Sequence, residues 1–162
     1  MPLIRYARLP SPLGDLLVTD HGEGLSGLYF EGHRRGPAVG AGWREDRPAF
    51  ATLDAELAAY WRGELRSFTV PLDPRGTPFQ RSVWDALRGI AYGATTTYGG
   101  LATAVGRSGA ARAVAGAVAR NPLSIVVPCH RVVGADGSVT GYAGGVDRKR
   151  WLLALEADGT RP

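Results

Sequence analysis

Cys129 is the only thiol in this chain of 162 residues. That scarcity excludes an internal disulfide and with it a disulfide-stapled secreted scaffold; it fits a reducing cytoplasm. Histidine is nearly as scarce. His21, His33 and His130 are scattered, so no Cys/His cluster with the spacing of a zinc site exists. No stretch is long and apolar enough to span a bilayer, and the opening MPLIRYARLPSPLG lacks the basic-then-apolar order of a signal peptide. A cytoplasmic protein without a membrane partner is expected. One further absence is local. Residues 86–134 contain no Asp or Glu, yet they carry Arg88, Arg107, Arg112, Arg120 and Arg131. A one-sign block in a chain of otherwise mixed charge, net +4 overall, points to a polyanion surface; the alternative is a merely solvated Arg-rich face.

At 44% hydrophobic content the chain can bury a core, as one compact domain or two small lobes. In residues 3–30, Leu16-Leu17-Val18 and the run from Leu25 to Phe30 read as strands. Ser11-Pro12-Leu13-Gly14 and His21-Gly22-Glu23-Gly24 read as turns. Residues 31–49, rich in Gly, Arg and Pro, read as a mobile loop. A helix fits 51–64, with Leu53, Leu57, Tyr60 and Trp61 on one face and Gly63 placed to end it. Residues 68–72 read as one more strand. No catalytic group stands out in this half.

The second half opens with a marked helix start. Thr77 is an N-cap, Pro78 suits the first turn and Gln80 completes a capping box; Phe79, Val83, Leu87 and Ile90 then share a face. Short helices fit 98–105 and 110–120, separated by Gly106-Arg107-Ser108-Gly109 and stopped by Asn121-Pro122. Together they form a helix-turn-helix pattern. In the second of them, Ala111, Val114 and Val118 take the core side, and Arg112, Gly116 and Ala119 take the other. Such small residues beside an Arg suit close approach to a nucleic-acid groove, and equally suit a helix packed on both sides. A hairpin-like turn at Ala135-Asp136-Gly137 joins Val132-Val133 to Val139-Thr140. A flexible loop over 141–145 follows, then a helix with Trp151, Leu152 and Leu155 on its core face. Glu156 shares that largely apolar side, and a carboxylate there needs a partner.

Cys129 follows the apolar run Ser124-Ile125-Val126-Val127-Pro128 and directly precedes His130. A thiol is nucleophilic as thiolate and needs a base, a cation or a helix N-terminus to become one. Adjacent residues on a strand point to opposite faces, so the pair can cooperate only across a backbone turn or a bridging water. Glu156 is a candidate acceptor to orient the imidazole. The competing reading is a buried structural thiol beside a satisfied histidine.

Pro128-Cys129-His130-Arg131-Val132, preceded by Asn121-Pro122 and followed by Gly141-Tyr142-Ala143-Gly144-Gly145, resembles the active-site signature of the O6-alkylguanine-DNA alkyltransferases. The likeness runs from about Thr77 to Glu156. Ser11-Pro12-Leu13-Gly14 and Gly27-Leu28-Tyr29-Phe30 resemble the family's N-terminal lobe. The resemblance implies an α/β (α+β) fold. A ribonuclease H-like sheet-plus-helix lobe would occupy 1–75, and a mostly helical lobe with a winged helix-turn-helix would occupy 76–162. It implies a monomer, with scope for cooperativity, bound in the minor groove of double-stranded DNA, and extrusion of the damaged base, since a thiol cannot reach O6-alkylguanine inside a duplex. The alkyl group of O6-alkylguanine, and of O4-alkylthymine, would pass irreversibly to Cys129.

By the same resemblance His130 is the base acting through a water, Glu156 orients it, Asn121 braces the turn and Tyr98 donates to the leaving guanine. Arg112 fills the gap in the stack, with Gly99, Arg107, Ala113 and Gly116 on the DNA surface. Val132, Tyr142, Ala143 and Gly144 form the pocket, and Lys149 lies near the Tyr98 phenol. No cofactor and no metal is implied; some members bind zinc in the first lobe, but its ligands are missing here. Ala143, Ser124 and Ala91 depart from residues common in the family. Three other readings compete: a thiol-less lesion binder, which Cys129 opposes; a helix-turn-helix regulator, which needs no Pro-Cys-His turn; and a Cys-His hydrolase, for which the acid-free stretch has no purpose.

Overall fold

In the computed structural model, which describes residues 3–158, alternating apolar side chains build the first sheet. Ala7 and Leu9 of β1 (Arg5–Leu9) face Val18 and Leu16 of β2 (Leu16–Asp20), and all four are buried. The turn between them closes at Gly14, whose φ of +101° suits glycine. β3 (Leu25–Phe30) pairs antiparallel with β2, so β2 lies between β3 and β1. The outer limits of the two expected domains, 1 and 162, lie outside the described residues.

Segment 31–49 is not wholly loop. β4 (Arg44–Glu45) pairs parallel with β1, and a 3-10 turn over Arg47–Phe50, capped by Asp46, leads into α1 (Ala51–Trp61). Leu53, Leu57, Tyr60 and Trp61 are buried as their spacing predicts, and Gly63 at φ +74° follows the helix end. The strand expected at 68–72 does not form. The Glu56 carboxylate takes the N–H groups of Thr69 and Val70 at 3.0–3.2 Å, and Pro71 has none to give. Only a parallel bridge from Leu25 to Leu72 remains.

The capping box forms as read. Thr77 and Gln80 exchange bonds of 3.0 and 3.1 Å at the start of α2 (Pro78–Leu87). α3 (Tyr98–Ala104) and α4 (Ala111–Ala119) make the helix-turn-helix; Trp84 Nε1 of α2 donates to the Ala117 carbonyl at 2.8 Å and fixes α4 against it. The expected turn at 135–137 closes, with Gly134 N to Ser138 O at 2.9 Å and Gly137 N to Gly134 O at 2.8 Å, but β6 (Val132–Val133) pairs parallel with β5 (Thr96–Thr97) and not with 139–140. Lys149 of α5 (Val146–Asp158) takes the carbonyls of Val132 and Thr140, which a longer hairpin would have used.

One apolar core runs through both halves. Leu28 of β3 bridges Leu123, with Leu28 N to Pro122 O at 2.8 Å and Ser124 N to Leu28 O at 3.1 Å. Trp61 meets Trp151, and Phe30 meets Tyr142, edge to face. The segment leading to Cys129 is thus stitched to the first sheet.

Candidate active site

The turn carrying Cys129 is made by its backbone partners. Asn121 is buried; its Nδ2 donates to Val127 O at 2.9 Å and its Oδ1 accepts from Leu123 N at 3.0 Å. Ile125, a β-branched residue, is held at φ +72°, a strained conformation that the surrounding bonds impose at a cost of about 1–3 kcal/mol. After Pro128 the chain enters a 3-10 turn over Cys129–Arg131. That turn lifts the strand restriction, so Cys129 and His130 need not face apart.

Behind the turn lies a buried ion network. Glu156 Oε2 accepts from His130 Nε2 at 2.7 Å, Arg131 Nη2 at 3.0 Å and Tyr60 Oη at 2.6 Å. Its Oε1 accepts from Arg131 Nε at 2.7 Å, and Arg131 Nη1 donates to Ile90 O at 2.6 Å. Burial alone would raise the Glu156 carboxyl; the bonds from His130, Arg131 and Tyr60 overcome it and hold the group at about 2. Burial pushes the His130 imidazole down, opposed by Glu156. Glu156 as carboxylate can only accept, so the proton of neutral His130 sits on Nε2 and Nδ1 presents a lone pair. That Nδ1 is buried and has no protein partner among the described residues. The site therefore holds a neutral imidazole with its basic nitrogen free.

In front of Cys129 is a cavity of about 160 Å³. Cys129, Asn121, Ser124 and Tyr142 line it, with Tyr98, the α4 residues Ala115, Val118 and Ala119, and Gly141 and Ala143. Burial pushes the Cys129 thiol up, opposed by Asn121, the Lys149 charge and Tyr142, so at rest it is protonated. The Tyr142 hydroxyl lies beside Ser124 and Cys129 but meets hydrogen-bond geometry with neither. Tyr98 starts α3, whose cap is the Thr97 hydroxyl accepting from Gly100 N at 3.0 Å.

Cys129, Asn121, Tyr98, Tyr142 and Ala143 thus meet around one cavity, with His130 and Glu156 behind it. Gly144 is a packing residue there: a Cβ would stand 2.6 Å from Phe30 and 2.9 Å from Tyr142. Val132 is buried and gives its carbonyl to Lys149 at 2.6 Å. Lys149, the chain's only lysine, is fully buried and aims its ammonium at the carbonyls of Val132, Thr140 and Gly141 at 2.6, 2.8 and 3.4 Å. Its three protons are thereby engaged, so it braces the 140–141 loop and leaves none for the Tyr98 phenol. On the outer surface Gly99, Arg112 and Ala113 are exposed. Gly116 is half-buried and its carbonyl accepts from Arg120 at 3.1 Å, while Arg107 lies over the Phe79 ring at 5.2 Å.

Sequence reasoning missed Tyr60 and Arg131 as parts of the site. Both left a signal: a hydroxyl on the core face of α1 needs a partner, as does a carboxylate on the core face of α5. It also missed His33, Arg34 and Arg35, which reach the cavity rim from the first lobe.

Two family models match: "6-O-methylguanine DNA methyltransferase, ribonuclease-like domain" over residues 4–74 and "6-O-methylguanine DNA methyltransferase, DNA binding domain" over residues 78–158. A methylated-DNA–protein-cysteine methyltransferase of Methanosarcina acetivorans is 48% identical over 151 residues, covering 93% of this chain and 97% of the relative. One from Mycolicibacterium paratuberculosis is 48% identical over 154 residues, covering 95% of this chain and 93% of the relative. Among solved structures, Mycobacterium tuberculosis OGT in complex with DNA superposes with a TM-score of 0.89 at 45% identity, covering 97% of this chain and 95% of that one.

Proposed function

The chain belongs to the 6-O-methylguanine DNA methyltransferase family, and we propose that it repairs alkylated duplex DNA by moving the alkyl group onto Cys129. The observation that carries the reading is the arrangement at the turn. A thiol lines a cavity, and the next residue is a neutral imidazole with a free nitrogen, oriented by a buried carboxylate.

The steps follow from that geometry. The thiol proton passes to His130 Nδ1 through a water, and Glu156 stabilises the imidazolium that forms. Cys129 Sγ attacks the alkyl carbon; the S–C bond forms, the C–O6 bond breaks, and its electron pair enters the guanine ring. Tyr98 donates to guanine N3 as that charge develops. The product is a thioether. Its S–C bond is not open to the thiol exchange that reverses a disulfide, so each molecule acts once. The same displacement at O4-alkylthymine needs no other group. α4 enters the minor groove, with Arg112 filling the gap left by the extruded base and Gly99, Arg107, Ala113 and Gly116 on the same surface. Val132 and Ala143 offer backbone groups to the guanine. The chain works as a cytoplasmic monomer, cooperative or not on DNA, in two domains divided at residues 75/76.

Incubation with a duplex containing O6-methylguanine, followed by intact and peptide mass spectrometry, tests this. One methyl on the Cys129 peptide and no turnover beyond one equivalent are expected. Full activity in Cys129→Ser would sink the reading.

A further inference from the structure

The cavity has a second lip, supplied by the first lobe. His33, Arg34 and Arg35 line the cavity together with residues of α4. This lip is held in place: Arg34 N donates to Ala143 O at 3.1 Å, His33 N to Phe30 O at 3.0 Å, and Gly36 N to His33 O at 3.2 Å. Arg35 N donates to His33 Nδ1 at 3.1 Å, and the His33 ring stands edge-on to Tyr29 at 5.3 Å. Arg148 braces the lip from beneath, reaching Glu31 O at 2.6 Å and Gly144 O at 3.1 Å. The backbone is fixed, yet the side chains of Arg34 and Arg35 are exposed and neither guanidinium makes a hydrogen bond or ion pair among the described residues.

A base that enters this cavity far enough to meet buried Cys129 leaves its sugar and phosphates at the mouth. Those phosphates are the anions nearest the lip. Two free guanidiniums on a fixed turn match them in charge and in fork geometry. An apolar alkyl group offers such charges nothing.

We propose that Arg34 and Arg35 grip the phosphates flanking the extruded nucleotide, so that the first lobe forms part of the DNA interface and the damaged nucleotide is held from two sides. This rests on the repair reading above. Each phosphate contact releases counterions, contributing about 0.9 to the slope of log affinity against log salt.

The test compares the unaltered chain with Arg34→Ala/Arg35→Ala and Arg34→Lys/Arg35→Lys. Three quantities are measured: methyl transfer from free O6-methylguanine base, transfer from a duplex containing it, and duplex affinity across a salt series. The Ala pair should leave the free-base rate within about twofold, slow the duplex reaction about tenfold at low salt, and lower the salt slope by about 2. The Lys pair should retain most of the slope. An Ala pair with an unaltered salt slope and duplex rate overturns the proposal and leaves the repair reading standing. Equal slowing on free base and duplex also overturns it, since the lip would then be packing the pocket. An unaltered chain that never methylates Cys129 overturns the repair reading, and this proposal with it.

Discussion

Behind Cys129 the charged groups are paired and dry; in front of it they are free and wet. The rear cluster of Tyr60, His130, Arg131 and Glu156 is buried, and the two Glu156 oxygens between them take four donated bonds. The front carries Arg34, Arg35 and Arg112, exposed and without a hydrogen-bond or ion-pair partner among the described residues. The two regions use the same residue type for opposite ends. A buried guanidinium without its carboxylate is costly, so Arg131 belongs to the fold and to the orientation of His130. An exposed one costs the fold little, so the front set is free to meet phosphate.

If this division holds, rear variants should change stability and front variants should not. The largest effect is expected for Glu156→Gln, which leaves Arg131 without a counter-charge: about 3–5 kcal/mol of stability. Calorimetry should register a Tm lower by about 10 °C or more, together with loss of alkyl transfer at Cys129. An unchanged Tm would break the comparison at its firmest point.

Acid should act on the same cluster. Glu156 sits at about 2 in the folded chain, below its unfolded value near 4.3, so the stability it contributes is present above about pH 4 and is lost between about pH 4 and 2. His130 is pushed below its ordinary value, so stability already begins to fall as pH drops below about 6.5, because the folded chain resists taking up that proton. Urea titrations across pH 8 to 3 should show both declines. Glu156→Gln should lack the lower one.

Tyr60→Phe is expected to cost about 2 kcal/mol, the worth of a hydrogen bond to a charged group. It also removes a competitor for Glu156 Oε2. The carboxylate then favours the imidazolium more strongly, and the acid limb of the alkyl-transfer profile should move to higher pH. A drop in Tm with an unmoved acid limb would reduce Tyr60 to packing. The smallest effect, and the sharpest for the front, is Arg112→Ala. It should leave Tm and free-base transfer unchanged while slowing duplex repair about tenfold, or about 1.4 kcal/mol.

Local chemistry was readable in the sequence. The Thr77/Gln80 box, the buried face of α1 and the Asn121-Pro122 stop each depend on residues a few places apart, and each formed. The active constellation was readable in part because a carboxylate on an apolar face announces a missing partner. What stayed hidden depends on distant pairing. Tyr60 and Glu156 are 96 residues apart, and no period or cap links them. Glu56 unmade a strand by taking its donors, and Lys149 took the Val132 and Thr140 carbonyls that a longer hairpin beyond the 135–137 turn would have paired. Composition marked 31–49 as loop, but the distant bonds from Arg34 to Ala143 and from Arg148 to Glu31 lay that loop beside the cavity.

The bridge between Leu28 and Leu123 gives the protein a sense of time. Closing it joins segments almost a hundred residues apart, at a larger loop-closure cost than the local helices or the first hairpin carry. Until it closes, the Cys129 turn lacks its seat on the sheet. A chain caught before that event carries a thiol with neither a poised base nor a pocket in front of it. Directed transfer from a recognised base therefore depends on a distant contact, while the bare thiol of an unfolded chain stays open to any small alkylating reagent.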